Sequence, residues 1–265
     1  MTTTLQTVFE KARSEKRAAL VGYLPAGFPS AEGAVAAATA MVEAGCDVIE
    51  IGLPYSDPLM DGPTIQDAVH RALVNGTRIA DVMRTVEGVA KTGAATLVMT
   101  YWNPIDRYGA ERFARDLASA GGVGTITPDL TPEEAGPWRE ASAAAGIDTV
   151  FLVAPSSTDA RIAKVVECCT GFVYAASLMG VTGARESVSA AAEGLVKRTR
   201  EHTKLPVCVG LGVGTGAQAA EVAAYADGVI VGSAFIRRLL DAPDEAAGLA
   251  AVRRLADELA TGVRS

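Results

Sequence analysis

Short apolar runs alternate with longer alanine-rich or amphipathic stretches along the whole chain. Within the short runs, consecutive positions are apolar, which is typical of strands buried on both faces of a parallel sheet. These runs predict eight strands, at 19–24, 47–53, 95–101, 123–128, 148–153, 171–177, 206–211 and 228–232.

The stretches between the runs predict helices in regular alternation with the strands. They lie near 3–14, 31–44, 63–75, 109–120, 132–145, 158–168, 187–202, 215–225 and 245–262, with an extra helix at 77–92. Eight β-α units in about 250 residues is the size of a (β/α)8 TIM barrel. We therefore expect an α/β fold, one barrel domain spanning 1–265, with an extra N-terminal helix and short helical insertions. A doubly wound open sheet is the alternative.

Composition narrows the function classes. A formal net charge of −7 argues against a nucleic-acid or anionic-membrane binder. No apolar run approaches the ~20 residues that a membrane span needs, and the polar start of the chain does not resemble an export signal. The cysteines form no CxxC pair and indicate neither a metal site nor disulfides, so we expect a cytoplasmic protein. They are Cys46, Cys168, Cys169 and Cys208.

In a barrel, the chemistry lies on the loops that follow the strands. In the second strand, Glu50 shares a face with Val48, while Ile49 and Ile51 share the other face. Because the branched residues should face the outer helices, Glu50 should point into the barrel. A buried carboxyl must be paired, hydrogen-bonded or protonated, so a structural and a catalytic role are equally open here.

The loop after this strand carries two further carboxylates, Asp57 and Asp61, among several prolines and glycines. Either one could accept hydrogen bonds in a turn or cap the next helix. For Asp57, in the sequence S-D-P, the turn role is a serious competitor. For Asp61, a position facing the barrel mouth is about as plausible as a turn role.

Two other catalytic chemistries lack the residues that they need in this sequence. A Schiff-base mechanism needs a lysine at a strand end, but the six lysines fall on predicted helices or ahead of a strand. A metal-dependent mechanism needs a cluster of ligands, but the only histidines are His70 and His202, on or at the end of helices. With these two mechanisms set aside, catalysis by carboxylate and tyrosine side chains is what remains at the barrel mouth.

Glycine-rich turns follow the last two predicted strands, at 210–216 and 231–235, and each one opens a helical segment. Exposed backbone N–H groups at a helix start attract a phosphate without Lys or Arg, and barrels often bind phosphate at these two loops. The long glycine-containing loop at 177–189 is typical of a lid over an active site, although a plain surface loop is the alternative.

The sequence EIGLPYSDPLMDGPTIQ at 50–66 closely resembles the signature of the tryptophan synthase alpha subunit family. Further segments resemble the same family in order and at its spacings, namely YLPAGFP (23–29), MTYWNP (99–104), PDLTPEE (128–134), GFVYAASLMGVTGAR (171–185), GLGVGTGAQ (210–218) and DGVIVGSAF (227–235). The family cleaves indole-3-glycerol phosphate to indole and glyceraldehyde 3-phosphate by a retro-aldol reaction. The resemblance therefore implies a carbon–carbon lyase of tryptophan biosynthesis.

The resemblance also implies roles for individual residues. Glu50 corresponds to the general acid/base, Asp61 to the carboxylate facing the indole nitrogen, and Tyr174 to an active-site tyrosine. Thr182, on the lid, corresponds to the threonine that approaches Asp61. The phosphate contacts implied are Gly183, Gly212, Gly232 and Ser233. The indole pocket implied is Tyr23, Met99, Tyr101, Ile126, Leu152 and Leu211, each of which could equally be core packing.

The family works as an α2β2 assembly with a beta subunit, which holds the pyridoxal phosphate, so we expect no cofactor in this chain. Two alternatives are a stand-alone lyase that releases free indole and a weakly active barrel that mainly activates a partner. The intact carboxylates and phosphate turns disfavour the second. The sequence departs from the family pattern at Thr127, expected to add a buried hydroxyl, and at Thr131, Leu178 and Met179.

Overall fold

The strands form one parallel sheet in a computed structural model that describes residues 3–176 and 185–265. They are β1 (Ala19–Pro25), β2 (Val48–Gly52), β3 (Ala95–Met99), β4 (Gly124–Ile126), β5 (Asp148–Val150), β6 (Leu152–Val153), β7 (Val173–Ala176), β8 (Val207–Gly210) and β9 (Gly228–Val231). Their order is β5-β4-β3-β2-β1-β9-β8-β7-β6.

The sheet closes on itself through the fifth predicted strand. Its two edge strands, β5 and β6, are consecutive in the chain and are separated only by Phe151. The carbonyl of Phe151 accepts a hydrogen bond from the backbone N–H of Tyr174 (3.1 Å), and that of Val150 accepts one from Thr127 (3.2 Å). The predicted (β/α)8 barrel is confirmed, with one strand interrupted, and the open doubly wound sheet is excluded.

Helices alternate with the strands as predicted. They are α1 (Leu5–Ser14), α2 (Ala31–Glu43), α3 (Pro63–Val74), α4 (Ile79–Ala90), α5 (Trp102–Tyr108), α6 (Ala110–Ser119), α7 (Gly136–Ala145), α8 (Asp159–Val166), α9 (Arg185–Arg200), α10 (Gly216–Ala223), α11 (Ser233–Leu240) and α12 (Glu245–Gly262). None of those described is long and apolar enough to cross a membrane.

Two predictions about loops were wrong in detail. The segment between the predicted strand at 95–101 and the predicted helix near 109–120 was expected to be a loop, but it forms α5. Proline is tolerated in the first turn of a helix, where backbone N–H groups have no intrahelical partner. The predicted lid at 177–189 is shorter than expected because α9 begins at Arg185. The remainder, including Leu178 and Met179, lies outside the described residues.

The hydrophobic core has two layers, as strand alternation requires. Ile49 and Ile51 pack outward against the helices, whereas Val48 packs inside the barrel. Helix α1 belongs to the inner layer: Leu5 and Phe9 are buried there, and Phe9 meets Phe172 edge-to-face at 5.8 Å. Since Phe172 directly precedes β7, α1 closes the amino-terminal end of the barrel and leaves the carboxyl-terminal end for the site.

Candidate active site

A cavity of about 600 Å³ lies at the carboxyl ends of the strands. Residues from distant parts of the sequence line it together, and half of them were predicted as site residues. Those predicted residues are Tyr23, Glu50, Asp61, Met99, Leu152, Tyr174, Leu211, Gly212, Gly232 and Ser233. The position of the cavity is the one at which barrel enzymes carry their chemistry.

Two other predicted site residues, Ile126 and Tyr101, are not among those that line the cavity. Ile126 is fully buried in the inner core. Tyr101 lies against the loop after β2, where its hydroxyl contacts the backbone of Leu59 and Met60. Thr182 and Gly183 lie outside the described residues.

Glu50 is the most deeply buried carboxyl that faces the cavity, with 1% of its surface exposed. Strand β2 places it beside Tyr23 of β1 and Leu97 of β3 in the register of the sheet. Neither carboxyl oxygen has a hydrogen-bond partner among the described residues. Burial without a partner disfavours the charged form and raises the pKa of Glu50 to about 8. A structural Glu held by a neighbouring side chain is not what the structure shows.

Asp61 approaches the cavity from the loop between β2 and α3. Its backbone carbonyl accepts a hydrogen bond from the Gln66 side chain (2.7 Å), which ties the end of the loop to the helix. Burial raises the pKa of Asp61, and a hydrogen bond with Tyr101 opposes that rise. Asp57, in contrast, is exposed and accepts a hydrogen bond from Ser56 (2.5 Å), in keeping with the turn role considered for it.

Two tyrosines, the buried Tyr23 and the half-buried Tyr174, lie on the cavity wall. A Cβ atom on Gly52 would collide with the Tyr23 hydroxyl, and one on Gly210 would collide with the Tyr174 hydroxyl. The two glycines therefore leave room for the phenol groups. Desolvation, with a smaller contribution from Glu50, raises the pKa of both phenols, so both stay protonated near neutral pH and can donate hydrogen bonds.

The glycine-rich end of the cavity is built as the sequence predicted. Gly212 has a left-handed φ of +75°, and Gly232 precedes α11 without a side-chain cap. Ser233 and Ala234, the first residues of that helix, line the cavity. Unpaired N–H groups at a helix start carry partial positive charge, so this end of the cavity can accept an anion.

Sequence reasoning missed a cation at this end, because the site was predicted to act through backbone groups alone. Arg237 lines the cavity, is exposed and, in the described part of the chain, has no ion pair. It lies four residues after Ser233, and residues four apart share a helix face. That spacing was the available signal. Of the other lining residues missed, Gln218 accepts a hydrogen bond from the Gly214 N–H (2.8 Å) and shapes the preceding turn.

The fold and the cavity define the class: a (β/α)8-barrel enzyme with a buried, unpartnered carboxyl opposite a glycine-rich end that can accept an anion. The family model described as tryptophan synthase alpha chain matches residues 9–264. The chain is 61% identical to the alpha chain of Thermobifida fusca, over 99% of this chain and 98% of the relative. It is 64% identical to that of Salinispora arenicola, over 97% and 96% respectively.

The structural comparison agrees. A solved structure of Mycobacterium tuberculosis tryptophan synthase superposes with a TM-score of 0.92 at 54% identity, covering 100% of both chains. The tryptophan synthase alpha subunit of Legionella pneumophila superposes with a TM-score of 0.88 at 33% identity, covering 98% and 97%. The chain belongs to the tryptophan synthase alpha chain family, and it is a lyase of tryptophan biosynthesis.

The buried Glu50 should make stability fall as pH rises. Its pKa is about 8 in the folded protein against an ordinary 4.5, so between these values the folded state holds a proton that the unfolded state has lost. This group then lowers the free energy of unfolding by up to about 1.4 kcal/mol per pH unit. Urea denaturation from pH 5 to 9 should show a smaller decrease in Glu50→Gln. Parallel pH profiles for the two proteins would contradict the raised pKa.

Proposed function

We propose that the chain cleaves indole-3-glycerol phosphate to indole and glyceraldehyde 3-phosphate, with Glu50 as the group that moves the protons. The observation that carries the proposal is the unpartnered, buried carboxyl of Glu50 at the wall of a cavity whose other end accepts anions. An inert core carboxyl would be expected to find a partner. A carboxyl without a partner, at a cavity wall, is free to react with what enters.

The retro-aldol reaction needs two proton transfers around one carbon–carbon bond. C3 of the indole must gain a proton, and the C3′ hydroxyl of the glycerol chain must lose one as the bond between C3 and C3′ breaks. With a pKa of about 8, Glu50 is mostly protonated near neutral pH and can act as the acid. The carboxylate left behind can then take the hydroxyl proton, so that a single group returns to its starting state.

Asp61 is proposed to stabilise the positive charge that develops on the indole ring. Protonation at C3 makes the ring nitrogen cationic in character, and a fixed carboxylate opposite the N–H lowers the energy of that state. We propose Tyr23, Met99, Leu152 and Leu211 as walls for the flat indole ring, with Tyr174 beside Glu50. Ile126 is retained as a proposed contact behind this wall, and Thr182 and Gly183 as proposed lid contacts.

The phosphate is proposed to bind at the opposite end, through Gly212, Gly232 and Ser233. This arrangement keeps the dianion away from the carboxylate of Asp61, which would repel it. It also places Arg237 at the entrance, where one positive charge offsets the acidic character of a chain with a net charge of −7.

A beta partner is proposed to consume the indole, in an α2β2 assembly with pyridoxal phosphate in that partner and no cofactor in this chain. The loop 54–62 is the proposed contact, because Leu59 and Met60 are 76% and 42% exposed and exposed apolar residues mark interaction sites. Asn103, now placed at the start of α5, is exposed beside the loop. Family membership supports this proposal over the stand-alone lyase. The cytoplasm remains the proposed location.

Glu50→Gln should reduce turnover by at least about 10²–10⁴-fold, because it removes only the proton-transfer group. Indole formation would be followed with purified protein, and binding of glycerol phosphate should be retained. Asp148→Asn is the matched control. Burial also raises the pKa of the Asp148 carboxyl, but Asp148 does not line the cavity. Near wild-type turnover in Glu50→Gln would contradict its role.

Arg237→Gln should raise KM for indole-3-glycerol phosphate about tenfold, the usual effect of losing one hydrogen bond to a charged group, and leave kcat nearly unchanged. The effect should shrink at high salt, which screens exposed charges. Arg238→Gln is the control, because Arg238 is the adjacent exposed arginine and does not line the cavity. Equal KM values for the two variants would remove Arg237 from the site.

Titration of the chain with a beta subunit should produce a large rise in the rate of indole formation. Docking would order loop 54–62 and with it Asp61. Asp57→Ala should reduce this activation more than the basal rate, whereas Asp67→Ala, an exposed carboxylate on α3, should leave both unchanged. A flat response to the partner would favour the stand-alone lyase.

A further inference from the structure

Tyr101 occupies a position that substrate binding does not explain. The side chain is 5% exposed, yet it is absent from the residues that line the cavity. Its hydroxyl oxygen accepts two hydrogen bonds from consecutive backbone N–H groups, those of Leu59 (3.1 Å) and Met60 (3.0 Å). One phenol therefore satisfies two backbone donors in the loop that ends at Asp61.

The proton of the same hydroxyl is directed by these two contacts. A phenol oxygen has one proton to donate, and with both amides donating to the oxygen, the proton must go to a third group. Asp61 follows Met60 in the chain, and a hydrogen bond between Tyr101 and Asp61 lowers the pKa of the carboxyl against the effect of burial. The hydroxyl thus accepts from the loop and keeps its own proton available to the carboxylate of Asp61.

Tyr101 is itself fixed to the barrel on the side away from the loop. The adjacent Trp102 N–H donates to both carboxylate oxygens of Asp129 (2.9 and 3.1 Å). On the other side, Thr100 donates its N–H to the Ile126 carbonyl (3.0 Å) and its hydroxyl to the carbonyl of Tyr101 (3.0 Å). Tyr101 is therefore held in place by the barrel, whereas the loop that it binds exposes Leu59 and Met60 to solvent.

We propose that Tyr101 is a positioning residue, which fixes the backbone at Leu59 and Met60 and turns the carboxylate of Asp61 toward the cavity. The proposal rests on the proposed function, because Asp61 is the group whose placement matters there. It replaces a substrate contact at Tyr101 with an action through Asp61. A carboxylate stabilises a developing charge only within a narrow range of positions. Loss of the Tyr101 hydroxyl should therefore slow the chemical step.

The chain offers a matched pair of variants to test this. Tyr101→Phe removes the hydroxyl and keeps the ring. Tyr55→Phe makes the same change on the neighbouring ring of the loop, whose centroid lies 5.4 Å from that of Tyr101. Among the described residues, the Tyr55 hydroxyl accepts a hydrogen bond from the Asn103 side chain (3.1 Å) and makes no contact with Asp61 or the loop backbone like that of Tyr101.

Tyr101→Phe should lower kcat about 10- to 100-fold, as expected for lost hydrogen bonds to a charged group, with little change in KM. Tyr55→Phe should change kcat by much less. In an Asp61→Asn background, Tyr101→Phe should have little further effect, because residues that act through one another are not additive. A rise in KM with unchanged kcat, or a full multiplicative loss in the double variant, would overturn the proposal.

Amide hydrogen exchange tests the same contacts without activity. In Tyr101→Phe, the amides of Leu59 and Met60 should exchange faster, while those of β3 should keep their protection and so report an intact barrel. Unchanged exchange at Leu59 and Met60 would overturn the proposal that Tyr101 fixes the backbone of this loop. Absence of cleavage by the wild-type protein would instead contradict the proposed function, and the exchange result would still decide whether Tyr101 holds the loop.

Discussion

A carboxyl group without a hydrogen-bond partner is stable inside a protein only while it keeps its proton. Glu50 is in this situation, and its neighbourhood is consistent with that constraint. Among the described residues, the cavity lining near it contains no Lys, Arg or His, and its one cation is Arg237 at the glycine-rich end. A closer cation would favour the ionised carboxyl and lower its pKa. The acid role proposed for Glu50 thus depends on keeping positive charge away from it.

The same constraint separates the two ends of the cavity. Carboxylates and phenols gather around the ends of β1, β2 and β7, whereas glycines and a helix start gather after β8 and β9. A ligand with an aromatic ring at one end and an anion at the other matches this division. Electrostatic repulsion favours one orientation of such a ligand, since the reverse orientation would place a dianion beside the carboxylate of Asp61.

The alternation of residues along single strands carried much of the predictive information. It placed Glu50 inside the barrel and Ile49 and Ile51 outside, since side chains in a strand point to opposite faces in turn. Contacts between distant loops were not predictable in this way. Tyr101 was expected at the indole pocket, but its hydroxyl meets the backbone of a loop about forty residues earlier, and no local pattern encodes such a contact. The sequence predicted that the Thr127 hydroxyl would be buried, as it is. It could not predict that this hydroxyl would lack a hydrogen-bond partner among the described residues.

Helix α1 has a consequence for how ligands reach the cavity. With Leu5 and Phe9 packed at the amino-terminal end of the barrel, that end is closed by the described residues. Substrate and products must therefore use the carboxyl-terminal end. Whatever covers that end of the barrel therefore controls product release as well as substrate entry.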